Sequence, residues 1–133
     1  MTVFLDTPAL YAILDRDDVN HAPADEAWQR LLNGPSTVLL THSYVLVEST
    51  ALAQSRLGIE AVRAFQEWIV PLLHVEWLGE SQHRTAAAMT LTAGRRKLSL
   101  VDCASFLVMR EQGIRHAFSF DRHFAEQGFE LIP

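Results

Sequence analysis

Short apolar runs alternate with longer stretches of helical periodicity along most of this chain. Five runs are rich in β-branched and aromatic residues, which is typical of strands, and the stretches between them repeat apolar residues every three or four positions, which indicates helices. The predicted strands are Thr2–Leu5, Thr37–Thr41, His74–Leu78, His116–Phe120 and Phe129–Ile132. Strands separated by helices predict an α/β fold, a three-layer α/β/α sandwich around a mainly parallel sheet of about four to five strands.

Local signals mark where the predicted helices begin and end. Thr7 followed by Pro8 predicts an N-cap and a first helical turn, and Ser43 predicts the cap of another helix. Ser99 opens a helix that Gly113 closes. The remaining predicted helices span about Pro23–Leu32, Ile59–Leu72 and Glu80–Ala93, and a short helical turn spans Asp121–Gln127.

Length and composition limit the class of protein. With 133 residues and 49% hydrophobic residues, the chain fits one domain, residues 1–133, with an ample core. Its apolar runs are too short to span a bilayer, and its N-terminus has no basic region of the kind that precedes a secretory signal. The single cysteine, Cys103, excludes an internal disulfide and is expected in the core. We therefore expect a cytoplasmic protein that does not bind membranes.

Three acidic residues occupy strategic positions in the predicted fold. Asp6 and Asp121 lie at or just beyond the ends of predicted strands, and Asp102 lies in the first turn of a helix. In open α/β sheets, ligands bind in the crevice outside the carboxyl ends of the strands. Each acid also has an ordinary interpretation: Asp102 is three residues from Ser99, the spacing of a capping box, and Asp6 and Asp121 can stabilise helix starts.

Glu48 is a fourth acid, and the helical pattern places it beside apolar residues. Its neighbours one turn away are Tyr44, Val45, Ala51 and Leu52. A carboxylate on such a stripe needs a partner, a proton or a metal ion. The alternative is a partly exposed glutamate at the edge of the stripe or one paired with an arginine. If all four acids converge, they form an oxygen-rich site of the kind that Mg²⁺ or Mn²⁺ prefers.

The chain resembles the PIN-domain nucleases, and particularly the VapC-type toxins of bacterial toxin–antitoxin pairs. Four segments carry the resemblance, and together they extend over nearly the whole chain: Val3–Leu10, Thr41–Glu48, Leu98–Cys103 and Phe118–Phe124. The resemblance implies that Asp6, Glu48, Asp102 and Asp121 form an acidic metal-binding quartet. It also implies hydroxyl groups beside the site at Thr7 and Ser119.

This resemblance implies a metal-dependent endoribonuclease. One or two Mg²⁺ or Mn²⁺ ions would activate water for attack on an RNA phosphodiester, with 5′-phosphate and 3′-hydroxyl products. Asp6 and Asp102 are the expected direct ligands, and Glu48 and Asp121 are expected to act through water or to position the nucleophile. The family also implies a cognate antitoxin and a homodimer as partners.

Basic residues near the acids are candidates for RNA contacts. Arg95, Arg96 and Lys97 form the densest positive patch, and Arg122 and His123 follow Asp121. They can hold the RNA backbone, or the patch can be a solvated helix end and His123 can pack or cap. The sequence does not decide between these interpretations.

Two other classes of protein fit part of the pattern. A phosphoacceptor receiver domain also clusters acids at strand ends, but it needs a lysine on its last strand, whereas Lys97 precedes a helix. A PIN-like interaction module without activity is the second alternative. Loss of an acid would favour it, and no acid of the quartet is missing.

Overall fold

The structure is a computed structural model that describes all residues from Met1 to Pro133. Its five strands are β1 (Thr2–Leu5), β2 (Val38–His42), β3 (His74–Glu76), β4 (His116–Phe118) and β5 (Glu130–Ile132). They form one sheet in the order β3-β2-β1-β4-β5, and every neighbouring pair is parallel. The predicted fold class is confirmed.

Seven α-helices connect the strands. They are α1 (Thr7–Leu14), α2 (His21–Asn33), α3 (Ser43–Leu57), α4 (Ile59–Ala64), α5 (Glu80–Ala93), α6 (Leu100–Gln112) and α7 (His123–Glu126). The helix predicted over residues 59–72 is divided, because α4 continues into a π-helical segment, Phe65–Ile69, and a 3-10 turn, Val70–Leu72. Pro71 lies in that turn and lacks the N–H that a regular helix requires, which accounts for the irregular end.

The core surrounds the central strand. Val3, Phe4 and Leu5 of β1 are fully buried. Because successive side chains of a strand point to opposite faces, burial of all three means that both faces of the sheet are covered. On one face, the Phe124 ring packs against Phe4 and Phe106, with ring centroids 6.1 and 5.0 Å apart.

The strand order creates a switch point between β1 and β4. The chain moves from β1 to β2 and β3 in one direction, then returns to place β4 on the other side of β1. The register confirms the adjacency, because Leu5 pairs with Phe118 and the N–H of Asp6 donates to the carbonyl of Phe118. In open α/β sheets, ligands bind outside the carboxyl ends of the strands at such a switch point.

Two predicted helix caps are wrong by one residue. Helix α1 begins at Thr7, so that Asp6, with extended backbone angles, occupies the N-cap position. Helix α3 is capped by His42, whose Nδ1 accepts hydrogen bonds from the N–H groups of Tyr44 and Val45, and not by Ser43. The Ser43 hydroxyl instead accepts from the N–H of Leu78, because it faces the segment that follows β3.

Candidate active site

Asp6 lies at the switch point between β1 and β4. It follows β1 directly and is only 2% exposed, and its Oδ2 accepts a hydrogen bond of 3.0 Å from the Ser119 hydroxyl. Burial, together with the nearby charges of Asp102 and Asp121, raises the pKa of Asp6 to about 7, against the lowering effect of the Ser119 hydrogen bond. The carboxylate is thus held in a place where its negative charge is unfavourable without a cation.

Asp102 is fixed at the start of α6 by a reciprocal capping box. The Ser99 hydroxyl accepts from the N–H of Asp102 at 3.1 Å, and Asp102 Oδ2 accepts from the N–H of Ser99 at 2.9 Å. The capping interpretation is therefore confirmed. Burial nevertheless raises the pKa of Asp102, and its charge acts on Asp6, so the capped carboxylate also belongs to the acidic cluster.

Asp121 lies in the loop that leaves β4, where Ser119 connects it to Asp6. The Ser119 hydroxyl donates to Asp6 and accepts from the N–H of Asp121 at 3.0 Å. Asp121 Oδ1 in turn accepts from the backbone N–H of His123 at 2.9 Å, so the expected capping role is present. One buried hydroxyl therefore sets the spacing between the two strand-end acids.

The donor set fits a hard divalent cation. Asp102, Asp121 and His123 each offer a ligand atom, and these atoms lie within 4.8 Å of one another, with Asp6 close enough for its pKa to respond to both aspartates. Carboxylate oxygens are the ligands that Mg²⁺ and Mn²⁺ prefer. The Thr7 hydroxyl, next in the chain to Asp6, is buried without a hydrogen-bond partner, as is the Ser49 hydroxyl on α3.

Glu48 does not have the burial that its neighbours predicted. Its side chain is exposed on α3, and the buried positions of that helix are Ser43, Val45, Ser49 and Ala53. Small residues at 49 and 53 face inward, where α3 packs on α1, so the buried stripe is rotated away from the one that large apolar residues suggested. The structure brings together Asp6, Asp102 and Asp121, and it does not add Glu48 to that group.

The basic residues divide into one that is paired and three that are free. Arg95 donates to Glu126 at 3.1 Å and also contacts Nε2 of His123 at 3.3 Å. Arg96, Lys97 and Arg122 are exposed and form no ion pair, as expected for a solvated patch. Their charges remain available to a ligand, whereas the Arg95 guanidinium already serves a contact within the protein.

Two histidines have roles that the sequence did not reveal. His42 is fully buried, its Nε2 lies 2.8 Å from the Ser105 hydroxyl, and burial lowers its pKa to about 4, so it is a neutral structural residue. His123 is the second, because its ring lies between Arg95 and the acidic cluster. Only the spacing of two residues from Asp121 hinted at this position.

Two further features concern the single cysteine and the helices. Cys103 is buried in the core, as predicted. None of the helices has the length and apolar character needed to cross a membrane.

Comparisons with known proteins match the chain from end to end. The family model described as PIN domain matches residues 3–130. The 23S rRNA-specific endonuclease VapC20 of Mycobacterium tuberculosis is 31% identical over 98% of both chains. The crystal structure of that protein, described as a sarcin–ricin loop cleaving toxin, superposes with a TM-score of 0.85 over 98% of this chain and 99% of that one.

Two more distant structures share the fold. FitAcB from Neisseria gonorrhoeae is 11% identical, covers 98% of this chain and 96% of its own, and has a TM-score of 0.69. VapBC2 from Rickettsia felis, bound to a DNA fragment from its promoter, is 10% identical, with 98% and 97% coverage and a TM-score of 0.68. At these identities the likeness concerns the architecture alone.

Proposed function

Because this chain belongs to the PIN-domain family, we propose that it is a metal-dependent endoribonuclease and the toxin of a toxin–antitoxin pair. The observation that carries the proposal is the group formed by Asp6, Asp102 and Asp121 at the switch point of the sheet. Membership in this family also excludes the receiver-domain alternative. A silent interaction module remains the alternative that an activity assay decides.

The residues present fit Mg²⁺ or Mn²⁺. When bound, such an ion lowers the pKa of a water molecule and stabilises the charge that develops on a phosphoryl group. Asp6 and Asp102 would hold it, because both are carboxylates whose charge is disfavoured by burial and favoured by a cation. Asp121, whose ligand atom lies within 4.8 Å of that of Asp102, would hold the ion with them, and the exposed Glu48, which lies outside that group, would act through water.

The surrounding residues hold the acids in place before substrate arrives. Ser119 fixes the spacing of Asp6 and Asp121, and the backbone N–H of Ser99 fixes the direction of the Asp102 carboxylate. Groups held in advance do not have to reorganise during the reaction, which is the main contribution of a protein to electrostatic catalysis. Thr7 supplies a hydroxyl without a protein partner for hydrogen bonding at the site.

RNA is the proposed substrate, with 23S rRNA as the specific target. The curated relative that is 31% identical over 98% of the chain is named for this RNA, and its structure is described as cleaving the sarcin–ricin loop. Arg96, Lys97 and Arg122 would contact the backbone phosphates, because their positive charges are unpaired. Hydrolysis would leave 5′-phosphate and 3′-hydroxyl ends.

We also propose a cognate antitoxin and a homodimer as partners. The description of the similar protein as a toxin supports the former. Large apolar side chains exposed on the surface support a protein interface, among them Trp68 at 74%, Trp77 at 69% and Leu91 at 83% exposure. Light scattering on the purified chain tests the dimer, and rescue of growth by co-expression of an adjacent small reading frame tests the antitoxin.

The function is tested by cleavage of defined substrates. Purified protein is incubated with a mixed RNA pool, a 23S rRNA fragment containing the sarcin–ricin loop, and single-stranded DNA, each with Mg²⁺, Mn²⁺ or EDTA. We expect cleavage of the 23S fragment that requires metal and falls by at least about a hundredfold in Asp6→Asn and Asp102→Asn, the scale on which loss of electrostatic stabilisation acts. Glu48→Gln tests the fourth acid in the same assay.

A matched variant separates the site from general damage to the protein. Asp25 is an exposed aspartate on α2 with no hydrogen bond or ion pair, so Asp25→Asn should cleave as the unmodified protein does. If folded wild-type protein leaves every RNA intact with both metals, the nuclease proposal is wrong and the silent module is favoured. Cleavage of the pool but not of the 23S fragment would reject only the proposed target.

A further inference from the structure

We propose that His123 is a nitrogen ligand of the bound cation, so that the site is a mixed oxygen and nitrogen site that prefers Mn²⁺ to Mg²⁺. This inference rests on the proposed function, because it assumes that the acidic cluster binds a divalent ion. It adds a residue and an ion preference that the carboxylates alone do not supply.

The position of the His123 ring carries the inference. Nδ1 lies 2.9 Å from Asp121 Oδ1, yet this nitrogen is buried and the contact does not have the direction of a hydrogen bond. A nitrogen and an oxygen at this distance that do not point at each other can both point at a third atom. Adjacent ligands of an octahedral ion with bonds of about 2.1 Å are about 3.0 Å apart, so the spacing suits one.

Asp102 completes the same cluster from another element. The ligand atoms of Asp102, Asp121 and His123 lie within 4.8 Å of one another, although α6 and the loop after β4 are separate in the chain. The His123 side chain is only 16% exposed, and the start of α7 restricts its backbone. The ring is therefore held against the acids and does not sample solvent as a surface histidine does.

Arg95 is the group that must adjust when Nδ1 binds an ion. In the structure its guanidinium contacts Nε2 at 3.3 Å, and it donates to Glu126 at 3.1 Å. A ring that ligates through Nδ1 carries its proton on Nε2, which cannot then accept from Arg95. Arg95 keeps its partner Glu126, so it loses only the longer of its two contacts.

The nitrogen ligand changes which ion the site prefers. Mg²⁺ binds oxygen almost exclusively and keeps several waters, whereas imidazole is a good ligand for transition-metal ions. A site of aspartates alone would discriminate little between Mg²⁺ and Mn²⁺. With His123 included, Mn²⁺ gains a bond that Mg²⁺ does not use.

The test is spectroscopic and independent of RNA cleavage. Wild-type protein is loaded with Mn²⁺ and studied by electron spin echo envelope modulation, which detects ¹⁴N directly bonded to the ion. We expect a ¹⁴N signal that disappears in His123→Ala. It should persist in His116→Ala, because His116 lies at the opposite end of β4 and pairs with Glu130. Affinities for Mn²⁺ and Mg²⁺ are measured in parallel by titration.

The affinities give a second, quantitative criterion. His123→Ala should weaken Mn²⁺ binding by at least about tenfold, the scale on which changes around metal ligands act, and should change Mg²⁺ binding far less. Bound Mn²⁺ without a ¹⁴N signal in the wild-type protein overturns this inference and leaves the nuclease proposal intact. If neither ion binds to the folded wild-type protein, both proposals are overturned.

Discussion

At the scale of single residues, Asp6 is the side chain under the greatest electrostatic constraint. It is buried next to two other carboxylates, and its position between β1 and α1 prevents it from reaching solvent. A protein keeps an unfavourable charge of this kind when the charge has a function. Stability and activity should therefore respond in opposite directions when this residue is changed.

Asp6→Asn should stabilise the metal-free protein while it abolishes cleavage. The pKa of Asp6 is about 7 in the folded protein against 3.8 as a free side chain, so its ionisation at pH 8 destabilises the fold by up to roughly 4 kcal/mol. Asparagine keeps the shape and removes the charge. Urea unfolding in EDTA at pH 8 measures the expected increase in the free energy of unfolding.

The control for this substitution is Asp25→Asn, which changes an exposed aspartate and should leave the free energy of unfolding within about 0.5 kcal/mol. Excess Mg²⁺ or Mn²⁺ should increase the free energy of unfolding of the wild-type protein and leave that of Asp6→Asn nearly unchanged. The reason is that an ion stabilises the folded state only when that state binds it. A variant no more stable than the wild type at pH 8 would contradict the electrostatic account of Asp6.

At the scale of elements, the start of α6 combines a structural and a chemical role. The capping box fixes the first turn of the helix, and the same Asp102 carboxylate faces the acidic cluster. The reciprocal bonds to Ser99 leave the side chain little rotational freedom. The helix start therefore determines how accurately Asp102 is placed.

Ser99→Ala should lower both stability and activity by modest amounts. Loss of an N-cap hydroxyl costs about 1 kcal/mol. The first turn that carries Asp102 is loosened, but the backbone N–H at position 99 still donates to the carboxylate, so the cleavage rate should fall less than in Asp102→Asn. Thermal unfolding and single-turnover cleavage measure the two effects. Ser81→Ala is the matched control, because Ser81 is an exposed serine in the first turn of α5 without a hydrogen bond. Equal effects of the two substitutions would contradict the capping argument.

The elements also show where sequence reasoning succeeds and where it stops. The strands and most helices were predictable because their apolar periods and their Gly, Pro and Ser boundaries are local signals. The orientation of α3 was not, because Ser49 and Ala53 are buried for close packing on α1 while Val47 is 65% exposed. A pattern of hydrophobic residues does not reveal a helix–helix interface that requires small side chains.

At the scale of the whole molecule, the acids at positions 6 and 121 were predictable as a pair because strand ends of a parallel sheet meet at one edge, whereas Asp102, at the start of α6, was expected beside them from the family resemblance. The contact partners of His42 and His123 were not predictable from the sequence. His42 contacts Ser105, which is 63 residues away, and His123 contacts Arg95, 28 residues away. Contacts between distant segments depend on how helices pack, and no local pattern encodes them.

Two buried groups with opposite pKa shifts should give the metal-free protein a flat stability profile between about pH 5 and 6.5. In this pH range Asp6 is mostly protonated in the folded protein, whereas it is ionised in the unfolded chain. His42, whose pKa is lowered to about 4, is neutral in the folded protein, whereas in the unfolded chain it binds a proton as the pH falls. Stability therefore falls with rising pH through Asp6 and rises with pH through His42, and the slopes oppose each other.

Replacing Asp6 should reveal the pH dependence of stability that His42 causes. In Asp6→Asn, the free energy of unfolding in EDTA should increase by up to roughly 2 kcal/mol from pH 5 to 6.5, because the His42 contribution is no longer opposed by that of Asp6. Chemical denaturation at half-unit pH intervals measures the profile. A profile of Asp6→Asn as flat as that of the wild type would show that His42 does not titrate as its burial requires.

The strand order also determines when this protein becomes complete during its own synthesis. The central strand β1 is made early, but the strand that positions Asp6 on its other side, β4, and the loop with Asp121 are made more than one hundred residues later. A growing chain therefore lacks the complete acidic cluster until β4 and the loop with Asp121 have emerged and β4 has paired. The ribosome, whose RNA is the proposed target, has therefore already synthesised the other acids and the strands up to β4 before the chain acquires the complete site.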